Sequence, residues 1–148
     1  DRQIPVLNVK PKIVILVGLP GSGKSTWLKE HRLPSLSSDA TRLLLSDDED
    51  NQKIHGLVFR TMRYLLRQRL TAGAPVTYID ATSLAPWERR PWIQFAHLHD
   101  CDIEAVFFDT PLDLCLDRNR KRTRVVPAEV VRKEVPFEDE WKRVSGRA

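Results

Sequence analysis

The chain has 148 residues, the length of one ordinary domain, and its 41% hydrophobic and 30% charged residues are typical of globular proteins. This composition excludes disordered and collagen-like classes. The longest apolar run, Ile13 to Val17, is much shorter than the roughly 20 residues that a membrane helix needs. The 24 Lys and Arg exceed the 20 Asp and Glu by four charges. We therefore predict a single domain over residues 1–148 that does not span a membrane.

The two cysteines and the first residue bear on cellular context. Cys101 and Cys115 have no metal-binding or redox spacing, which favours reduced thiols and a cytoplasmic location. Because the chain begins at Asp1 without an initiator Met or a signal segment, it is compatible with a processed product or with one domain of a longer parent chain.

Apolar, β-branched segments predict the strands of the fold. Continuous runs occur at residues 12–17, 76–79 and 103–108, and each is bounded by turn or charged residues. A shorter strand is predicted near residues 35–38. Runs without polar alternation are typical of strands that are buried on both faces of a parallel sheet.

Helical patterns lie between these strands. Apolar residues recur at helical spacing over residues 52–70, on a face that includes Ile54, Leu57, Val58, Met62, Leu65 and Leu66. A second helix is predicted near residues 86–99, where Pro91 should kink it or shift its start. Further helices are predicted from Thr110 and over residues 128–134. Alternating strands and helices indicate an α/β fold with a parallel sheet and ligands at the carboxyl ends of its strands.

The first predicted strand is followed by a phosphate-binding motif. Residues 18–25 match G-x-x-x-x-G-K-[ST] between a strand and a helix, the context in which this motif cradles nucleotide phosphates. Lys24 is expected to reach the β- and γ-phosphates, and the Ser25 hydroxyl is expected to bind Mg²⁺. ATP and Mg²⁺ are therefore the predicted cofactors. The predicted nucleotide-binding residues are Gly18, Gly21, Ser22, Gly23, Lys24, Ser25 and Thr26.

A second polar segment follows the short strand. Asp39 lies at the predicted carboxyl end of that strand, and Arg42 lies one helical turn further on. A carboxylate there could accept the proton of an attacking hydroxyl. On spacing alone, a structural role for Asp39 as the N-cap of the following helix is favoured about two to one, and the two roles are compatible.

Four segments in chain order resemble the kinase domain of bacterial and phage polynucleotide 5′-kinases. They are residues 18–26, 37–52, 78–82 and 118–122, and the resemblance extends over residues 12 to about 135. It implies a P-loop NTPase with an adenylate-kinase-like parallel sheet, flanking helices and a short arginine-rich lid at approximately 118–127.

The resemblance also implies roles for single residues. Asp39 would be the general base that activates a 5′-hydroxyl, and Arg42 would contact a phosphate of the acceptor. Asp80 would lie close to the metal, although a strand-ending turn is an equal explanation without the resemblance. Arg118 and Arg122, four residues apart, would be the lid arginines, and guanidinium groups suit the charge of a transferring phosphoryl group.

Other basic and aromatic residues have looser matches. Arg89 and Arg90 follow Asp80 at the distance of a basic acceptor-side residue in that family. Trp87 and Trp92 could stack on a base, although such aromatics more often pack in a core. His97 and His99 fit a helix end better than a metal site.

The expected function is transfer of the γ-phosphoryl group of ATP to a hydroxyl, with the 5′-OH end of DNA or RNA as the favoured acceptor, in nucleic-acid repair. Two alternatives stay open. One is a P-loop kinase for a small molecule, similar to zeta-type toxins or antibiotic phosphotransferases. The other is an ATP-sensing module without catalysis, which would not need Asp39.

Overall fold

The computed structural model of the chain describes residues 10–83 and 85–108. Within these residues there are four strands and four helices, and at least one helix lies between successive strands, as the apolar patterns predict. The strands are β1 (Lys12–Val17), β2 (Ser35–Ser37), β3 (Val76–Asp80) and β4 (Asp102–Phe107). The helices are α1 (Lys24–Glu30), α2 (Ser38–Ser46), α3 (His55–Thr71) and α4 (Pro86–Leu98), and a 3-10 turn (Gln52–Ile54) precedes α3.

All four strands are parallel and form one sheet in the order β2-β3-β1-β4. The register pairs Asp80 with Leu16 on one side and with Ser37 on the other. Neighbouring strands in a sheet are about 4.8 Å apart. The ends of β1, β3 and β2 therefore lie in one row, and the segments that follow them start from the same edge of the sheet.

The central strand β1 contributes to a core on each face of the sheet. Ile13, Ile15 and Val17 belong to the larger core, and Val14 and Leu16 belong to the smaller one, because successive side chains of a strand point to opposite faces. The larger core includes Val58, Met62 and Leu66 of α3 and Trp92, Phe95 and Ala96 of α4; the smaller one includes Leu28 of α1 with Val106 and Phe108.

Helix α3 buries a narrower face than the sequence pattern predicts. Val58, Met62 and Leu66, spaced at four-residue intervals, have no exposed surface, whereas Leu57 is 43% exposed. Consecutive residues of a helix point about 100° apart, so the side chain next to the buried stripe turns away from the sheet. The prediction that Leu57 belongs to the buried face is therefore wrong.

Helix α4 begins at Pro86 and contains Pro91, so Pro91 does not shift its start. The helix begins here because proline suits the first helical position, where no backbone N–H is needed, and because the Glu88 carboxylate accepts a hydrogen bond from the Ala85 N–H at 2.9 Å. His97 lies in the last turn and His99 follows it, which confirms the predicted helix end.

The predicted helices after Thr110 and over residues 128–134, together with Cys115 and the lid at approximately 118–127, lie outside the described residues. Within the part of the chain that the structure describes, no helix combines the length and apolarity that crossing a bilayer requires.

Candidate active site

The phosphate-binding motif forms the turn between β1 and α1. Gly21 and Gly23 have φ angles of 87° and 104°, in the left-handed region that residues other than glycine rarely adopt. At Gly18 a Cβ atom would lie 2.6 Å from the Ser22 Oγ and 3.0 Å from the Phe108 Cβ, which leaves no room for a side chain. The Gly18 N–H donates to the Thr82 carbonyl at 3.2 Å, so the loop is tied to the segment after β3.

Lys24 is the buried cation of this loop. Its Nζ donates to the carbonyls of Gly18 at 2.8 Å and Leu19 at 3.1 Å, and the residue is only 8% exposed. The ammonium group is thus held by the backbone of the loop that should bind phosphate. Ser22 is buried in the same loop, whereas Thr26 is exposed on α1, and its predicted contact with nucleotide stays a prediction.

Ser25 and Asp80 meet although 55 positions separate them in the chain. The Ser25 hydroxyl donates to Asp80 Oδ2 at 2.9 Å. A hydroxyl and a carboxylate oxygen are hard ligands that suit Mg²⁺, which in P-loop proteins takes its remaining ligands from phosphates and water. Among the described residues, no group of three or more His, Cys, Asp or Glu could hold a metal ion. The residues present therefore fit a magnesium ion that is shared with a nucleotide.

Helix α2 carries Asp39 and Arg42 on its first turns. Arg42 Nη1 donates to Asp39 Oδ1 at 3.4 Å, and the Arg42 side chain is 5% exposed against 49% for Asp39. The interpretation of Asp39 as the N-cap is wrong, because the cap is Ser37, whose Oγ accepts the Ala40 N–H at 3.1 Å. The short strand ends one residue earlier than that interpretation assumed. Asp39 instead lies in the first turn, where a carboxylate is favoured by the helix dipole.

His55 at the start of α3 is the second neighbour of Arg42. Its Nδ1 lies 3.4 Å from Arg42 Nη2, and since guanidinium only donates, Nδ1 is the acceptor. Partial burial and then the Arg42 charge lower the pKa of His55 from its ordinary value, and the nearby Glu88 carboxylate opposes this shift. The imidazole is therefore neutral at neutral pH, with its proton on Nε2.

These groups line one cleft of about 340 Å³. It brings together six of the predicted site residues, namely Gly21, Lys24, Ser25, Asp39, Arg42 and Asp80. Arg118 and Arg122 lie outside the described residues. The cleft therefore joins the phosphate loop, the candidate metal ligands and the candidate acceptor residues.

One wall of the cleft was not found from the sequence. His55, Phe59 and Arg63 line it at i, i+4 and i+8 of α3, which places them in one stripe beside the buried stripe of the same helix. This four-residue spacing could have been recognised in the sequence as one face of a helix. The cleft is also lined by Gln52 and, from α4, by Trp87, Glu88 and Trp92. The position of Glu88 in the cleft could not be predicted from the sequence, because it depends on how α4 packs against α3.

Two of the residues considered for the acceptor side are structural. Arg89 has no exposed surface, and its Nη1 donates to the Ser83 carbonyl at 2.9 Å. Trp92 is 1% exposed and packs in the larger core, with its ring centroid 6.3 Å from that of Phe59. Trp87, by contrast, is 63% exposed. Stacking of a base on both tryptophans is excluded, and of these two only Trp87 offers an accessible ring.

Cys101 is a free, buried cysteine directly before β4. Burial raises the pKa of its thiol, and the carboxylates of Asp100 and Asp102 raise it further. A thiol that stays protonated is a poor nucleophile and metal ligand, so Cys101 has a packing role.

Comparisons with known proteins agree with this fold. A protein-family model described as "AAA domain" matches residues 13–136. L-seryl-tRNA(Sec) kinase of Methanococcus maripaludis is 25% identical to the chain over 127 residues, which are 81% of this chain and 49% of that protein. The chain thus spans about half the length of that relative.

Solved structures are also similar. A chain of the Pnkp1/Rnl/Hen1 RNA repair complex has a TM-score of 0.74 and 23% identity, over 88% of this chain and 45% of that one. The APS kinase CysC of Mycobacterium tuberculosis, in complex with AMPPNP and APS, has a TM-score of 0.56 and 26% identity, over 76% and 70%. The predicted α/β fold of a P-loop NTPase is therefore confirmed, and the chain belongs to the family of AAA domains.

Proposed function

We propose that the chain is a P-loop kinase that transfers the γ-phosphoryl group of ATP to a hydroxyl, and that the acceptor is the 5′-OH end of DNA or RNA. The observation that carries this proposal is a single cleft that contains Lys24 and Ser25 of the phosphate loop together with the Asp39–Arg42 pair of α2. A module that only senses ATP needs the first pair and has no use for the second.

The nucleotide side of the cleft provides charge and position. Lys24 and the backbone N–H groups of its loop would bind the phosphates, and Ser25 and Asp80 would hold Mg²⁺. Bound magnesium neutralises charge on the β- and γ-phosphates. Arg118 and Arg122, which the sequence resemblance assigns to the lid, would stabilise the charge of the transferring phosphoryl group.

The acceptor side provides a base and an anchor. Asp39 would accept the proton of the acceptor hydroxyl while the new O–P bond forms and the bond between the γ-phosphorus and the bridging oxygen of ADP breaks. Arg42 would bind a phosphate of the acceptor strand. Asp39 is half-exposed and Arg42 is buried beside it, so the proton acceptor is accessible while the cation is held in place.

Four observations support a nucleic-acid acceptor. A relative of the chain is named as a tRNA kinase, and a structural neighbour belongs to an RNA repair complex. Trp87, which lines the same cleft, exposes an aromatic ring on which a base could stack. The chain has a net charge of +4, which suits a polyanionic substrate. We also propose that the chain acts in the cytoplasm, as part of a larger parent chain or of a repair complex.

The test is phosphate transfer from ATP and Mg²⁺ to 5′-OH single-stranded DNA and RNA oligonucleotides. Asp39→Asn should lower transfer by about 10²- to 10⁴-fold, the range of a lost general base, and should leave ATP binding unchanged. Because Ser37 and not Asp39 caps α2, the variant keeps the helix start. Asp102→Asn is the control, since Asp102 is exposed at the opposite end of the sheet. Wild-type transfer in Asp39→Asn would contradict the general-base role.

A small-molecule acceptor is the second candidate, because the chain is 26% identical to APS kinase and covers 70% of that structure. Under this candidate the protein would bind ATP, would phosphorylate no oligonucleotide, and oligonucleotides would not compete for ATP turnover. Under the nucleic-acid proposal, competition should weaken steeply with added salt, since phosphate contacts release counterions.

A further inference from the structure

We propose that His55 is a positioning residue of the acceptor site, whose neutral imidazole accepts a hydrogen bond from Arg42 and holds that guanidinium beside Asp39. This inference rests on the proposed function, because it assigns the acceptor phosphate to Arg42. It concerns a residue at the start of α3, 13 positions from Arg42 in the chain.

The Arg42 guanidinium is enclosed by the protein. The residue is 4% exposed, so its guanidinium must be oriented by protein groups rather than by water. Arg42 Nη1 donates to Asp39 Oδ1 and Arg42 Nη2 donates to His55 Nδ1, each at 3.4 Å. Within the described part of the chain, the buried Nε has no hydrogen-bond partner. Without His55, Asp39 would be the only side chain hydrogen-bonded to this guanidinium among the residues that the structure describes.

The hydrogen-bonded pair of Arg42 and His55 lies in the cleft. Arg42 and His55 line it together with Asp39 and Phe59. The His55 ring also packs against Phe59, with centroids 4.8 Å apart and the planes tilted by 47°. The imidazole is therefore supported from its own helix while its Nδ1 faces α2.

The hydrogen bond from Arg42 requires a neutral His55. A protonated imidazole would lose the acceptor lone pair on Nδ1 and would place a second positive charge next to Arg42. The charged groups that face His55 are Arg42 from α2 and Glu88 from α4, and Asp39 and Arg63 line the same cleft. Burial and Arg42 lower the pKa of His55 and outweigh Glu88, so the neutral form prevails at neutral pH.

The consequence is an acid-sensitive acceptor site. As the pH falls through the pKa of His55, Arg42 should lose one of its two hydrogen-bond partners, and acceptor binding should weaken while ATP binding stays unchanged. A purely structural histidine would instead affect both substrates or neither.

The experiment compares His55→Ala and His55→Asn with the wild-type chain in oligonucleotide phosphorylation between about pH 5.5 and 8, around the ordinary pKa of histidine. His55→Ala should raise the KM for the oligonucleotide about five- to tenfold at pH 7.5, the effect of one net hydrogen bond, with the KM for ATP unchanged. His55→Asn keeps an acceptor near Nδ1 that does not titrate, so it should restore the KM and abolish its rise in acid. His31→Asn is the matched control, because His31 is exposed at the end of α1 and does not line the cleft.

A second measurement does not depend on transfer. The pKa of His55, followed by NMR, should rise in Arg42→Gln, because the guanidinium that lowers it is gone. An unchanged value, or a wild-type KM profile in His55→Ala at every pH, would overturn the positioning role while leaving the kinase proposal intact. If the wild-type chain phosphorylated no oligonucleotide, the proposed function would fail first, and the role of His55 in binding this acceptor would fail with it.

Discussion

The two sides of the cleft are built in different ways. The phosphate loop is local, since residues 18–25 form one loop and the start of α1, and the Lys24 ammonium is held by carbonyls of that loop. The proposed acceptor side is assembled from side chains of three helices, α2, α3 and α4, as the contact of Arg42 with His55 shows. A site made of backbone can be recognised from a motif, whereas a wall made of side chains depends on how helices pack. The two sides should therefore respond differently to substitution.

The largest effect is expected at Trp92, which lines the cleft and belongs to the larger core. Trp92→Ala should lower the free energy of unfolding by about 3–5 kcal/mol, because Trp92 is 1% exposed and its removal leaves a cavity. Urea denaturation monitored by circular dichroism measures this. Trp87→Ala, which removes an exposed ring, should stay within about 0.5 kcal/mol of the wild-type chain. Equal losses in the two variants would contradict the division into a core and an accessible tryptophan.

The phosphate side is tested by Lys24→Ala. Transfer should fall by about 10²- to 10³-fold with every acceptor, because the buried ammonium would stabilise phosphate charge that develops during transfer. Steady-state kinetics with two unrelated acceptors measure the loss. Lys29→Ala, on the exposed side of α1, should match the wild-type chain. A loss with one acceptor only would mean that the two sides are not separable.

The exposed ring of Trp87 tests whether the acceptor side binds a base by stacking. Trp87→Ala should raise the KM for an oligonucleotide about 5- to 150-fold, which corresponds to about 1–3 kcal/mol for one stacked base, and should leave the KM for ATP unchanged. Trp87→Phe should recover most of the loss, since it retains an aromatic face. An unchanged KM in Trp87→Ala would remove base stacking from the proposal.

The smallest expected effect is on stability in acid. Because the pKa of His55 is lowered in the folded chain, the unfolded chain binds more protons near the ordinary pKa of histidine. The contribution of neutral His55 is complete above that value, and the free energy of unfolding should decrease as the pH falls below it. Denaturation at several pH values should show a shallower decrease in His55→Asn than in the wild-type chain. An identical pH dependence in both would contradict the shift.

Several features of the fold were predictable because they depend on neighbours in the sequence. The apolar run of β1, the glycines of the phosphate loop and Pro86 at the start of α4 each act within a few residues. The cap of α2 was misassigned by two residues, since Ser37 and Asp39 are both good caps and only the end of β2 decides between them. Arg89 and Trp92 were also ambiguous, because burial is a property of the packed chain.

By itself, the sequence determined the phosphate loop, the alternation of strands and helices, and the identity of the candidate base and anchor on one helical turn. The loop and the alternation follow from local backbone preferences and from the periods of strand and helix, whereas the base and the anchor were assigned through the resemblance to polynucleotide 5′-kinases. Only the tertiary structure decided that Asp80 reaches Ser25 and that His55 reaches Arg42. The strand order β2-β3-β1-β4 places the ends of three strands in one row, and α3 and α4 then pack beside them to close the acceptor wall. A helical period shows which residues share a face, but it does not show which partner covers that face, because this depends on long-range packing.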